Sequence, residues 1–384
     1  MRRYLQLILT VIVLFFSGNN ALKAQVDSCD LQISLLTCTP GAELYSTFGH
    51  TAIRVKSATF DIVYNYGTFE FDDPDFYSKF VKGKLPYFLS VEQYADFAYS
   101  YLYEKRGIEE QILLLNCVAK QKVFDALKKN AQEENKFYKY DFLFDNCTTR
   151  AGDIITANCG DSVLFKSILL SDTPTFRQLL YQYLDNGQQD WSKLGIDILL
   201  GSRLDRKVTN REAMFLPDNL KKGMNVAQMK NERIATNDTV ILASTAAPAS
   251  PAFWTPLLIF SLLLLFIAIL SFTKNKVART TLIVFDRLWF LITGLLGILL
   301  LYMWMGTDHA ACRDNWNLIW AFPLHTILIF LNWQKEWVRK YFQFIFIIST
   351  LTILCWAFLP QQLNTALLPI VAISGLRSFF RWKA

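Results

Sequence analysis

Histidine is scarce in this chain: there are three in 384 residues, and His309 and His325 fall in the apolar C-terminal part, so His50 stands alone before Ser250. That scarcity excludes a histidine-rich metal centre in the first part, and any imidazole base there must be His50. The acidic run "FDDPDF" at Phe71 to Phe76 has Pro74 inside it and no histidine beside it, so it reads as a solvated turn. No metal and no cofactor are expected. A lipid-attachment cysteine is also missing, because Cys29 follows "VDS" and not a small-residue lipobox. Basic residues are not in excess either: Gln25 to Ser250 holds about 25 Lys and Arg against 29 Asp and Glu. Nucleic acid is therefore excluded as a partner, and the net charge of +6 belongs to the two ends of the chain. No internal repeat is present.

What the sequence does contain sorts into two regions. Met1 to Ala24 has two arginines, the apolar stretch "YLQLILTVIVLFF", a polar break and a small final residue, the layout of a cleaved export signal. An exported domain over residues 25–242 follows, long enough for a sizeable core, and then a linker over 243–253 built on "ASTAAPASPA". From Trp254 the chain divides into five apolar spans: Trp254 to Phe272, Leu288 to Met305, Leu318 to Trp333, Tyr341 to Leu359, and Leu363 to Phe380. Each is near the length of a membrane-crossing helix. Basic residues follow the first span (Lys274, Lys276, Arg279), the third (Lys335, Arg339, Lys340) and the fifth (Arg377, Arg381, Lys383), while the opposite turns hold only Arg313. By the positive-inside rule those basic ends face the cytoplasm, which puts the first domain in the periplasm and the C-terminus in the cytoplasm of an inner-membrane protein.

The stretch "FLFDNCTTR", Phe142 to Arg150, presents Cys147 at the start of a helix. A cysteine in an exported chain is more often half of a disulfide than a nucleophile. The run "FGHTAIRVKSATFDIVYNYGTF", Phe48 to Phe69, changes that balance, because it places His50 on a predicted hairpin turning at Ser57 and Ala58. The register that pairs Val55 with Phe60, Ile53 with Ile62 and Arg54 with Asp61 also sets His50 opposite Asn65. A thiol near an imidazole and a helix N-terminus is held as thiolate, and an amide on the second ring nitrogen orients the base. Asp145 or Asn146 would cap the helix and leave its first N–H groups near the sulfur. Removing Cys147 leaves Cys29, Cys38, Cys117 and Cys159, an even number compatible with two disulfides of unassigned pairing. Asn146-Cys147-Thr148 also fits a glycosylation acceptor, a weak three-residue pattern.

A histidine on an early hairpin followed much later by "NC" at a helix start resembles the circularly permuted papain-like enzymes, among them lecithin:retinol-type acyltransferases and NlpC-type peptidases. More narrowly, "GHTAIRV", "YNYGTFEFDDPDFYSKFVKGKLPY", "YDFLFDNCTTR" and "DILLGSRLDRKVTNREAMFLPDNL", followed by five spans, resemble the Lnb-type lipoprotein N-acyltransferases. The resemblance implies an α+β, permuted papain-like periplasmic domain ahead of an all-α five-helix membrane domain. It implies transfer of an acyl chain from a phospholipid, through a thioester, to the N-terminal amine of a diacylglyceryl lipoprotein. His50 and Cys147 match the motif positions; Asn65 rests on the hairpin register.

Five spans suit an enzyme whose two substrates both sit in a bilayer, whereas a cell-wall peptidase needs at most one anchor. A membrane-tethered NlpC-like cysteine peptidase or amidase is the alternative, and a receptor without catalysis is disfavoured by the presence of both His50 and Cys147. The outer loop "GTDHAACRDNWN" crowds Asp308, His309 and Asn315 where two spans emerge, either as an ordinary polar turn or as a substrate-binding rim. Asp286 and Arg287 near the inner end of the second span read as an interfacial ion pair.

Overall fold

The predicted hairpin forms, but its strands lie two residues out of the expected register. In the computed structural model, which describes residues 29–70, 72–160, 162–169 and 173–384, Arg54 pairs with Val63 and Val55 with Ile62. The tight turn closes one step later than expected, with Ser57 N–H donating to the Phe60 carbonyl at 2.8 Å across Ala58 and Thr59. A slip of two residues keeps every side chain on its own face of the sheet, whereas a slip of one would invert them all. Asp61 thus becomes the diagonal neighbour of Arg54 and still binds it, with Nε to Oδ1 at 2.7 Å. The expected export signal, Met1 to Ala24, lies outside the described residues.

The elements run β1 (Gln32–Cys38), β2 (His50–Lys56), β3 (Asp61–Thr68), α1 (Phe76–Lys82), β4 (Pro86–Gln93), α2 (Tyr94–Tyr103), β5 (Ile108–Ile112), α3 (Cys117–Asn130), β6 (Phe137–Lys139), α4 (Cys147–Asn158), α5 (Phe176–Asn186), α6 (Asp190–Leu199) and β7 (Thr239–Leu242). The seven strands form one antiparallel sheet in the order β6-β4-β3-β2-β1-β5-β7. Alternate residues of its central strands point to opposite faces. Ile33, Leu35, Ile53 and Val55 pack under α3 and α4, while Leu36, Ala52 and Val63 pack under Phe97 and Tyr101 of α2. Both faces of β1 are covered, so Ser34 and Thr37 are buried along with its apolar residues. Cys29 and Cys117 form one disulfide. The second expected bridge does not form, because Cys38 is a buried thiol within β1 and Cys159 donates to the Thr156 carbonyl at the end of α4.

The C-terminal region holds α7 (Pro256–Phe272), α8 (Lys276–Met305), α9 (Glu336–Leu354) and α10 (Leu367–Lys383). By length and composition α8 and α9 can each cross a bilayer, and α7 is apolar over 17 residues. The third expected span is not an α-helix. It consists of two 3₁₀ segments, Trp316–Ile319 and Pro323–Phe330, separated at Pro323, whose ring removes a helical N–H. Irregular backbone at membrane depth persists only where protein covers it. Here α8 does so: a Cβ on Gly297 would stand 2.0 Å from the Ala321 carbonyl oxygen, so only glycine admits the segment. The expected Asp286–Arg287 pair is also corrected. Adjacent helical side chains do not face each other, and Asp286 instead binds Arg377 (Nε at 2.7 Å) and Arg381 of α10. Arg287 donates to the Ile329 carbonyl and lies over the Trp333 ring.

A buried polar joint fastens the two regions together. Arg177 and Asp197 are fully buried, with Arg177 Nη1 to Asp197 Oδ1 at 2.7 Å and Arg177 Nε to Asp205 Oδ1 at 2.8 Å. The C-terminal region supplies amides to the end of α6: Asn315 to the Ile198 carbonyl at 2.8 Å, Asn317 to Asp197 O at 2.9 Å, Gln361 to Leu200 O at 2.9 Å and Asn364 to Asp197 Oδ2 at 2.8 Å. Carbonyls that a helix end leaves without intrahelical partners are thereby satisfied from the other region.

Candidate functional site

Cys147 is the first residue of α4 and lies against β2 and β3. The helix starts there because Asn146 caps it, its Oδ1 accepting from Thr148 N–H at 2.8 Å and Thr149 N–H at 2.9 Å, while Thr149 Oγ1 accepts from Asn146 N–H at 2.9 Å. Asn146 Nδ2 donates to the Phe142 and Phe215 carbonyls. The amide is buried and wholly engaged, which excludes it as a glycan acceptor. Of the first-turn N–H groups expected near the sulfur, the cap takes two. The cap does not take the Cys147 amide, the first N–H of the helix. Asp145 is occupied elsewhere, in an ion pair with Arg150 at 2.6 Å.

His50 opens β2 and reaches the thiol from the sheet. Its Nε2–H donates to Asn65 Oδ1 at 2.6 Å, which leaves Nδ1 for its hydrogen bond to Cys147. Asn65 Nδ2 in turn donates to Glu92 Oε1 at 3.2 Å, an arrangement that fixes which end of the amide faces the ring. Asn65 therefore meets His50 by the diagonal of the slipped register, a contact well within cross-strand reach. Glu92, on β4, was not foreseen; its only sequence signal is alternation along a strand whose partner was unknown.

Burial would raise the Cys147 thiol, but the charge and hydrogen bond of His50, with the Thr51 N–H and the Thr148 hydroxyl, outweigh it and lower the pKa to about 7. Burial likewise acts to lower His50, and the Cys147 charge, its hydrogen bond and that of Asn65 prevail and raise it. The two directions are those of a thiol and an imidazole that each favour the other's charged form. Cys147 retains 9% exposure against 1% for Cys38 and Cys159, and burial drives Cys38 up to about 12.

Gly67 supplies the space beside the sulfur. With φ of +91°, it takes a conformation that favours glycine, and a Cβ there would lie 3.5 Å from Cys147 Cβ, 3.9 Å from the Tyr138 hydroxyl and 3.9 Å from the Tyr140 ring. The Tyr138 hydroxyl is buried without a hydrogen-bond partner among the described residues, while its ring lies 3.6 Å beneath the Arg150 guanidinium. A buried hydroxyl without a partner is a costly feature, and this one lies across Gly67 from Cys147. Sequence reading passed over Tyr138 because nothing in "FYKYD" distinguishes it from core.

Asp308, His309 and Asn315 do not join this group. His309 Nε2 meets the Phe80 carbonyl at 2.9 Å, Asp308 pairs with Lys139 at 2.9 Å, and its N–H donates to Lys82 O. Asn315 is buried in the joint. All three hold the first domain on the outer loop of the second region. Asp73 of the acidic run binds Lys79 at 2.6 Å and accepts the Asp75 N–H, setting the start of α1.

Two family models match the chain: the Lnb N-terminal periplasmic domain over residues 18–182, and the Lnb transmembrane domain over residues 248–383. No curated protein and no solved structure matches it significantly.

Proposed function

Because the chain belongs to the Lnb family of lipoprotein N-acyltransferases, a membrane protein with a periplasmic N-terminal domain, we propose that Cys147 is its nucleophile, His50 its base and Asn65 the group that orients the base. The observation that carries this reading is the hydrogen-bonded row Cys147, His50, Asn65, in which the thiol is lowered to about 7 at a helix N-terminus. Glu92 steadies Asn65 from behind.

In the first half-reaction the Cys147 thiolate attacks an ester carbonyl of a phospholipid. The oxyanion takes hydrogen bonds from the Cys147 amide and the Tyr138 hydroxyl. As the C–O bond breaks, the departing alkoxide receives the His50 proton, giving a lysophospholipid and an acyl thioester on Cys147. In the second, the free α-amine of a diacylglyceryl lipoprotein attacks the thioester and loses a proton to His50. The C–S bond breaks, the amide forms, and the thiolate–imidazolium pair returns. The acceptor and donor both reside in the bilayer, and the basic ends of the spans favour a cytoplasmic C-terminus.

Intact mass spectrometry of the full chain mixed with phospholipid vesicles tests the reading. A hydroxylamine-labile acyl group on Cys147, discharged by adding a diacylglyceryl peptide with a free amine, is the expected result. A protein that stays unacylated yet cleaves cell-wall peptides would transfer the assignment to the peptidase alternative.

A further inference from the structure

A row of aromatic rings joins the thiol to the outer loop of the membrane domain. It begins with Tyr140, beside Cys147 across Gly67, which stacks on Tyr87 at 4.3 Å. Tyr87 meets Phe69 at 5.3 Å, Phe69 stacks on Phe76 at 5.9 Å, and Phe76 stacks on Phe80 at 6.0 Å. Phe80 then reaches His309 at 6.5 Å, just beyond the outer end of α8. Every ring from Tyr140 to Phe80 is only partly covered, and α1 also leaves Tyr77 81% and Val81 41% exposed. Contiguous apolar surface of this kind marks a contact with something apolar. At the foot of the row, where Gly83 packs against Asp308, stand the exposed cations Lys82 and Lys84.

An apolar track with a cationic foot, continuous with the membrane-spanning region, has the chemistry of one ligand. We infer that the strip carries a fatty acyl chain of the donor phospholipid from the outer leaflet to Cys147, with Lys82 and Lys84 beside its phosphate. A peptide laid on the same rings would leave its amides without partners, a cost that a hydrocarbon chain does not incur. The inference rests on the acyltransferase reading above and adds the path by which the ester arrives. The rings grip the chain and the ester carbonyl comes to rest in the space left by Gly67.

The test uses the full chain with two donors: phosphatidylglycerol bearing sixteen-carbon chains in vesicles, and the soluble six-carbon form, with thioester formation on Cys147 read by mass. Phe76→Ser and Phe80→Ser should each lower the ratio of long-chain to short-chain rate by about tenfold or more, the effect of losing one ring's worth of apolar contact. A ratio equal to that of the unaltered protein in both variants overturns the strip while leaving the acyltransferase reading in place. A second arm does not depend on turnover. Phosphatidylglycerol with a photoreactive diazirine near its chain end should label α1 in the unaltered protein. Labelling confined to α7 through α10 overturns the inference, and labelling of α1 in a protein that never forms a thioester would retain the lipid track and remove the acyltransferase reading.

Discussion

His50 donates to Asn65 at 2.6 Å although the two are not directly opposed in the sheet. Continued, the observed register would set Gly67 opposite His50, so the contact is made along the diagonal. Glu92 accepts from the other end of the Asn65 amide and prevents it from turning its NH₂ toward the ring. The imidazole is thus held as the tautomer that bears hydrogen on Nε2, with Nδ1 directed to the sulfur.

Loss of Asn65 should therefore act through His50. Asn65→Ala is expected to cut acyl transfer by about tenfold to hundredfold, short of the full contribution of a general base. Glu92→Gln should cost less, since an amide oxygen can still accept from Asn65. The check is the pH profile as well as the rate: Asn65→Ala should shift the acid limb, whereas a purely structural role would lower the rate uniformly.

Cys147→Ser should abolish the thioester and His50→Ala should reduce its formation by about 10³-fold or more, with the thermal melting point near that of the unaltered chain in both. Wild-type rates in a lipoprotein acylation assay would return either residue to the structural class.

The sign of the pH dependence follows from the ion pair. The Cys147 thiolate fraction rises as pH passes through about 7, so alkylation by iodoacetamide should show a midpoint there. In His50→Ala the stabilising cation is gone while burial remains, and the midpoint should move upward. An unchanged midpoint in that variant would sever the proposed pairing.

Tyr138→Phe removes only the unpaired hydroxyl. If that group serves the oxyanion, the variant should lose about 10² to 10³ in kcat with unaltered alkylation of Cys147. Because the hydroxyl has no partner to abandon, stability should hold or rise. Retained turnover would leave the Cys147 amide as the only proposed donor.

The polar joint gives a prediction about stability. Asp197→Ala would take one of two carboxylates from buried Arg177, leaving Asp205, and would remove the acceptor for Asn364, so it should lower the melting point in detergent more than any site variant. Residues 25–250 expressed alone should also be less stable than the same domain in the full chain, because the end of α6 would lose Asn315, Asn317, Gln361 and Asn364.

Much of the site was legible in the sequence because its parts are local. The Asn146 cap, the thiol after it and the strands around Ser57 each follow from neighbouring residues. Asn65 was reached through a register that was wrong by two, and survived because sheet faces repeat with period two. The parts that depend on distant partners were not legible: Glu92 needed the β3–β4 pairing, Asp286 needed the placement of α10, and Tyr138 needed the gap at Gly67. Counting cysteines points to two bridges, but Cys38 is enclosed at the end of β1, paired with His50 on one side and Ile108 on the other. The third span read as a helix because apolar length alone does not reveal how α8 would admit a 3₁₀ segment.

The joint around Asp197 also bears on how substrates meet. Amides from two segments of the membrane domain, Asn315 with Asn317 and Gln361 with Asn364, grip one helix end, so the periplasmic domain has no swivel at that point. On the proposed chemistry the thiol stands at a set height above the lipid plane, and both reactants must come to it by lateral diffusion. Turnover should then track the fluidity of the surrounding lipid more closely than the viscosity of the periplasmic solvent.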